Sequence, residues 1–454
     1  MSSDYMHLNL FTMNSVEHVT TGNWRTSGDQ SHRYTDVEYW LDVARTAERG
    51  GFDAVFFADV RGIYDVYGGD SETAVEKAVQ TPANDPQALV PAMATVTDHL
   101  GFAVTRSTTY VHPYQLAREL STLDHVTDGR VAFNIVTSYL ESAARNLGLD
   151  ERMDRETRYD RADEFMDVCY ALWEESWDDD AVVRDEERGV YTDPEKVRGI
   201  DFEGENFSVP GPHGCEPSAQ RTPVLYQAGS SDRGREFAAD NAEAVFVSQP
   251  TEEGVRSYVE DMRDHAAERE RDPDDLRFFP GIVPIVGETE EIAQQKYETY
   301  AENVDYEATL ALLAGFIDLD FSELDPDQKV EHIDTDAIQG AVNAFTKNDP
   351  DRDWTVAEVA RYAGLGTTSP VVVGDPEQVA DELQYWYEEV GVDGFNLKEV
   401  VRPGTLRDFV DMVVPVLRER GLVREEYEGE TLRENLFEEE GRTRLADGHP
   451  ARQG

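Results

Sequence analysis

Cysteine, lysine and long apolar runs are all scarce in this 454-residue chain. Two cysteines, Cys169 and Cys215, cannot build a disulfide framework in a chain of this length. Neither has a His or Cys at metal-ligand spacing, so both read as inert. No H-x-H, H-E-x-x-H or C-x-x-C occurs, which weighs against a zinc site. A G-x-S-x-G elbow and a Walker loop are missing too. No stretch reaches the ~18 apolar residues of a membrane-spanning helix. The opening Met1-Ser2-Ser3-Asp4-Tyr5-Met6 lacks the basic and apolar regions of a signal peptide. The reading is a soluble, cytoplasmic protein.

Positive charge is the other shortage. Asp plus Glu number 94 against 41 Lys plus Arg, a formal charge of −53. Such a surface excludes nucleic-acid binding by phosphate neutralisation and disfavours anionic membranes. Disorder often accompanies high charge. Here 10% aromatics and recurrent apolar runs argue against it. Only six basic residues are lysines (Lys77, Lys196, Lys296, Lys329, Lys347 and Lys398). An acidic, lysine-poor surface suits molar salt, where a Debye length of about 3 Å screens self-repulsion. The protein therefore reads as salt-adapted.

Eight short apolar runs bounded by turn residues read as strands. They begin at His7, Ala54, Leu100, Val131, Val224, Ala244, Phe279 and Gly394. Helix-length segments lie between them, at 35–50, 87–98, 113–126, 158–176, 231–241, 252–268, 288–304 and 376–390. Thr35 with Glu38 fits a capping box for the first. A βα alternation repeated about eight times points to a parallel (β/α)8 barrel. An open doubly wound sheet would usually show G-x-G-x-x-G after its first strand, and Phe11-Thr12-Met13-Asn14 does not match. The domain reading is one barrel over 1–435, with insertions at about 60–86, 137–222 and 306–369. The polar stretch 436–454 reads as a mobile tail.

Barrel active sites form at strand C-terminal ends. Asp59, Thr105, Asn134, Thr137-Ser138, the run Gln227-Ala228-Gly229-Ser230-Ser231, and Asn396 lie at such places. Each has a bland alternative as a helix cap. Asn134 is the sharper candidate, because an amide in an apolar strand must find partners. Gly229-Ser230-Ser231 opens a helix, and its hydroxyls and free N–H groups suit a phosphate. His18 follows the first strand, where a catalytic group could sit or a plain loop histidine could stand.

At these residues the sequence resembles the bacterial-luciferase-like flavin monooxygenases, in particular the nitrilotriacetate and dibenzothiophene sulfone monooxygenase group. The resemblance runs through Gly22-Asn23-Trp24-Arg25, Phe52-Asp53-Ala54-Val55-Phe56-Phe57-Ala58-Asp59 and Thr105-Arg106-Ser107-Thr108-Thr109-Tyr110. It continues through Asn134-Ile135-Val136-Thr137-Ser138, Arg158-Tyr159-Asp160-Arg161, Gly229-Ser230-Ser231, Gly374-Asp375-Pro376 and Tyr427-Glu428-Gly429-Glu430. It implies a barrel with FMN at the strand C-terminal ends, held by Asp59, Thr105, Tyr159 and Ser230, with Asn134 at the isoalloxazine. The family often has a histidine where this chain has Arg155, and an arginine can equally neutralise a phosphate. His18 matches a histidine near the flavin. Phe56, Phe57 and Phe246 are candidates to wall the ring and substrate, or else ordinary barrel packing.

The resemblance further implies a two-component system. A separate NAD(P)H:flavin reductase supplies FMNH2 by diffusion, and dioxygen adds to give a hydroperoxyflavin that oxygenates a small organic substrate. A homo-oligomer, dimer or tetramer, goes with the family. Two other readings stay open at this point: a deazaflavin-dependent oxidoreductase on the same barrel, and a non-catalytic flavin-binding protein.

Overall fold

The computed structural model describes residues 5–329 and 354–452. Eight parallel strands close on themselves: β1 His7–Met13, β2 Ala54–Ala58, β3 Gly101–Ser107, β4 Val131–Val136, β5 Val224–Gln227, β6 Ala244–Val247, β7 Arg277–Val286 and β8 Gly394–Leu397. Each pairs with the next in sequence, and β8 pairs with β1. All eight expected strands are present, in a closed barrel. A further strand, Val371–Gly374, extends the second half of β7 outside the ring.

Strand alternation sorts the side chains. Inward positions include Phe11, Ala54 and Phe56, Ala103 and Thr105, Ala132 and Asn134, Val224 and Tyr226, Ala244 and Phe246, and Phe279. Their apolar members form one interior cluster. Outward positions such as Leu8, Leu10, Val55, Phe57, Phe102, Val104 and Phe133 pack under the helices. Phe57 therefore cannot wall the cavity. It turns outward, its ring centroid 5.3 Å from that of Trp40.

Most expected helices form. The first is Val37–Arg49, capped by Asp36, whose carboxylate accepts from Glu38 N at 3.1 Å. Asp36 thus replaces the Thr35 capping box. The segment 87–98 breaks into short turns around Val90–Ala94. After β4 come the helix Arg155–Tyr170 and two small hairpins. After β7, the helix Tyr306–Ile317 docks over the β2 loop, with Gly315 directly against the Tyr64 ring. Of the insertion expected at 306–369, residues 330–353 lie outside the described residues.

The stretch expected to be a mobile tail is packed in its described part. The helix Leu432–Phe437 places Leu432, Leu436 and Phe437 in the barrel's interior cluster, closing its lower end. Beyond it Leu445 and His449 are buried, and Arg442 pairs with Asp275 at 2.5 Å. The acidic local composition hid these apolar anchors. Among the described residues no helix is long and apolar enough to cross a membrane.

Candidate active site

A cavity of ≈ 310 Å³ opens at the C-terminal ends of the strands. His18, Phe56, Asp59, Thr105, Asn134, Arg155, Tyr159, Gly229, Ser230, Ser231 and Phe246 all line it. Asn396, also read at a strand end, lies deeper and donates to Phe279 O at 3.2 Å.

One wall is polar and comes from β2 to β5. Asn134 Nδ2 donates to Thr105 Oγ1 at 2.8 Å, and Thr105 Oγ1 donates to Phe57 O at 2.7 Å. This chain turns the amide so that Asn134 Oδ1 is buried without a hydrogen-bond partner. Burial pushes the Asp59 carboxyl up to about 6, against the pull of Arg61.

The second part of that wall is a phosphate-sized cradle. The helix Asp232–Asn241 begins at Ser231, whose hydroxyl accepts from Gly234 N at 3.2 Å. Gly229 is required there, since a Cβ would stand 2.6 Å from Gly234 O. A Cβ on Gly234 would meet Tyr159 Oη at 2.8 Å, so the phenol sits against the helix start. Arg155, Arg158 and Tyr159 stand at i, i+3 and i+4 of one helix and present one face. Arg158 is buried. Two arginines and a helix N-terminus oppose the global acidity at this spot.

The opposite wall is aromatic and comes from β1, β2 and β6. Phe11 stands 4.9 Å from both Phe56 and Phe246, centroid to centroid. The His18 ring lies 4.5 Å from Phe11. Burial, reinforced by Arg402 and Lys398, holds His18 well below the usual imidazole range, so it is neutral. Its Nδ1 is buried without a hydrogen-bond partner. Leu313 and Phe316 from Tyr306–Ile317 add an apolar roof.

Some lining residues escaped the sequence reading. Arg158 and Gln227 stood inside quoted motifs without a role. Phe11 was taken only as strand. Lys398, whose ammonium burial pushes down to about 7, was counted among the six lysines but given no place in the site. The signal was available: Lys398 is two residues beyond Asn396, on the same strand face.

A closed barrel whose cavity at the strand ends lies between an anion cradle and an aromatic wall is the architecture of an enzyme that holds an organic cofactor beside a small substrate. The family model for luciferase-like monooxygenases matches residues 10–394, and the chain belongs to that family. It is 46% identical over 98% of its length to the dimethyl-sulfide monooxygenase of Hyphomicrobium sulfonivorans, covering 93% of that protein. It is 48% identical to the long-chain alkane monooxygenase of Geobacillus thermodenitrificans, covering 98% of this chain and 97% of that one. The crystal structure of a long-chain alkane monooxygenase superposes with a TM-score of 0.92 over 100% of both chains, at 47% identity. A riboflavin lyase, solved with modified FMN and riboflavin, is 34% identical with a TM-score of 0.92, over 98% of each chain. Dibenzothiophene-sulfone and nitrilotriacetate monooxygenases are also similar, as the sequence resemblance implied. The protein is thus a flavin-dependent monooxygenase, and the hydride-transfer and non-catalytic readings give way.

Proposed function

We propose that the enzyme uses reduced FMN, delivered by a separate NAD(P)H:flavin reductase, to insert one oxygen atom of dioxygen into a small organic substrate. The other atom leaves as water, and FMN leaves oxidised. A homo-oligomer, dimer or tetramer, goes with this reading. The observation that carries it is the division of one cavity into a polar wall with an orphaned acceptor and an aromatic wall facing it.

The residues fit the cofactor. Asn134 Oδ1 is a buried acceptor in want of an N–H donor, which a flavin ring carries. Ser230, Ser231 and Tyr159, with Arg155 and Arg158, match a phosphate in donor type and charge. A related riboflavin lyase holding modified FMN supports the same assignment. When bound, reduced FMN supplies the electrons that activate dioxygen.

The chain's own part is positioning and exclusion of water. Thr105 holds the Asn134 amide in one orientation. Phe11, Phe56 and Phe246 pack the substrate, and Leu313 and Phe316 keep water from the reacting centre. Neutral His18 offers an imidazole nitrogen at the edge of the aromatic wall. The test is turnover under labelled dioxygen with FMNH2 from any reductase. One labelled oxygen in the product is expected. Tight FMNH2 binding with peroxide alone across a panel of sulfides, sulfones, alkanes and aminopolycarboxylates would sink the reading.

A further inference from the structure

Lys398 is a cationic side chain of the cavity to which the roles above give no part. It continues the inward face of β8, two residues past Asn396. Its stem crosses Gly281 of β7, where a Cβ would stand 2.9 Å from Lys398 Cε. Its Nζ donates to Gly366 O at 3.1 Å and Thr367 Oγ1 at 3.3 Å. Thr367 itself is held at φ 62, a costly conformation for a β-branched residue. Two elements and a strained residue thus fix this ammonium in the cavity wall.

Among the described residues no group of opposite charge meets it. Lys398 forms no ion pair among them, and both its partners are neutral oxygens. The Phe11 and Phe246 centroids stand 5.7 and 5.6 Å from Nζ. An ammonium has three donors, and two are taken. Aromatic faces satisfy a cation only weakly. A wholly apolar guest would leave the third N–H unmet or drive the proton off an amine that burial already holds near 7, and either is costly. A guest bearing an oxyanion would supply the missing counter-charge.

We propose that Lys398 sets the substrate class: a small molecule with an apolar body held by Phe11, Phe56 and Phe246, and one carboxylate or sulfonate held by Lys398 Nζ. This rests on the monooxygenase reading of the same cavity. The oxyanion then fixes which carbon or sulfur of the body faces the polar wall, because the body is tethered at one end.

The test compares (methylthio)butanoate with butyl methyl sulfide on the FMN-loaded enzyme, by titration calorimetry and by KM. Wild type is expected to bind the carboxylate about 10- to 150-fold more tightly, the range of a hydrogen bond to a charged group. Lys398→Met should bind both alike while its FMN affinity is unchanged, and Lys398→Arg should restore the preference. Equal affinities in wild type overturn the proposal, as does a preference that survives in Lys398→Met. Should Lys398→Met fail to fold, the wild-type pair and Lys398→Gln decide the matter. Failure of the monooxygenase reading looks different: no labelled oxygen enters either compound, whatever their affinities.

Discussion

Asn134 Nδ2 donates to Thr105 Oγ1 across 2.8 Å, and this bond decides which end of the amide meets the cavity. With its nitrogen occupied, the amide presents Oδ1, an acceptor. Removing either partner should therefore weaken cofactor binding. Asn134→Leu is expected to raise the Kd for reduced FMN about 2- to 12-fold, the range of one net hydrogen bond. Thr105→Val should do the same by freeing the amide to turn. Flavin fluorescence titration checks both. Unchanged affinity in Asn134→Leu would remove Asn134 from the cofactor site.

The cradle at Ser231, Tyr159 and Arg158 predicts a preference for FMN over riboflavin. Arg158→Gln should lower that preference roughly 10- to 150-fold, mainly by weakening FMN, because riboflavin has no phosphate to lose. Ser231→Ala should do less to the preference. It should also cost about 1 kcal/mol of stability, since the same hydroxyl caps the helix Asp232–Asn241. Parallel titrations with both flavins and a thermal melt separate these effects. An unchanged FMN-to-riboflavin ratio in Arg158→Gln would place the phosphate elsewhere.

Short apolar runs bounded by turn residues made the eight barrel strands legible, because a closed parallel barrel repeats one simple unit. The polar residues at strand ends were legible for the same reason: Thr105 and Asn134 interrupt apolar runs. Lys398 was not, because a lysine after Leu397 looks like ordinary surface until strand parity is carried past the strand's end. Phe56 and Phe57 are indistinguishable as letters, and only the register separates the cavity wall from the outer core. The short strand Val371–Gly374 was lost beside the turn residues that follow it. The lower plug was hidden by context, since Leu436 and Phe437 stand among glutamates.

Salt should strengthen FMN binding. The chain carries −53, and the incoming cofactor is an anion. Raising salt from about 0.1 to about 1 M shortens the Debye length from about 10 to about 3 Å. That removes long-range repulsion but screens the buried Arg158 much less. The Kd for FMN is therefore expected to fall as salt rises. A Kd that climbs steadily over the same range would mean that local attraction governs the approach of FMN, and would also count against the salt-adapted reading.

Arg433 and Glu243 give the fold an acid limit. Both are buried, with Arg433 Nε 2.8 Å from Glu243 Oε1 and Nη2 2.9 Å from Oε2. Burial alone would raise the Glu243 pKa, but the charge and hydrogen bonds of Arg433 outweigh it and hold the carboxyl below its ordinary 4.5. A carboxyl depressed in the folded state binds fewer protons there than when unfolded. Its contribution is thus complete above the unfolded value near 4.5 and is lost as pH falls through the lower folded value. The helix Leu432–Phe437, which closes the barrel floor, is anchored by this pair. Arg433→Leu should strand a buried carboxylate and cost about 3–5 kcal/mol. Adding Glu243→Leu should recover part of that loss, because the uncompensated charge goes too. It should also flatten the acid limb of the stability profile. Denaturant melts of the two variants between about pH 3 and pH 7 check this. If Arg433→Leu costs under about 1 kcal/mol, or the double variant keeps the wild-type acid limb, the pair is not what holds the floor.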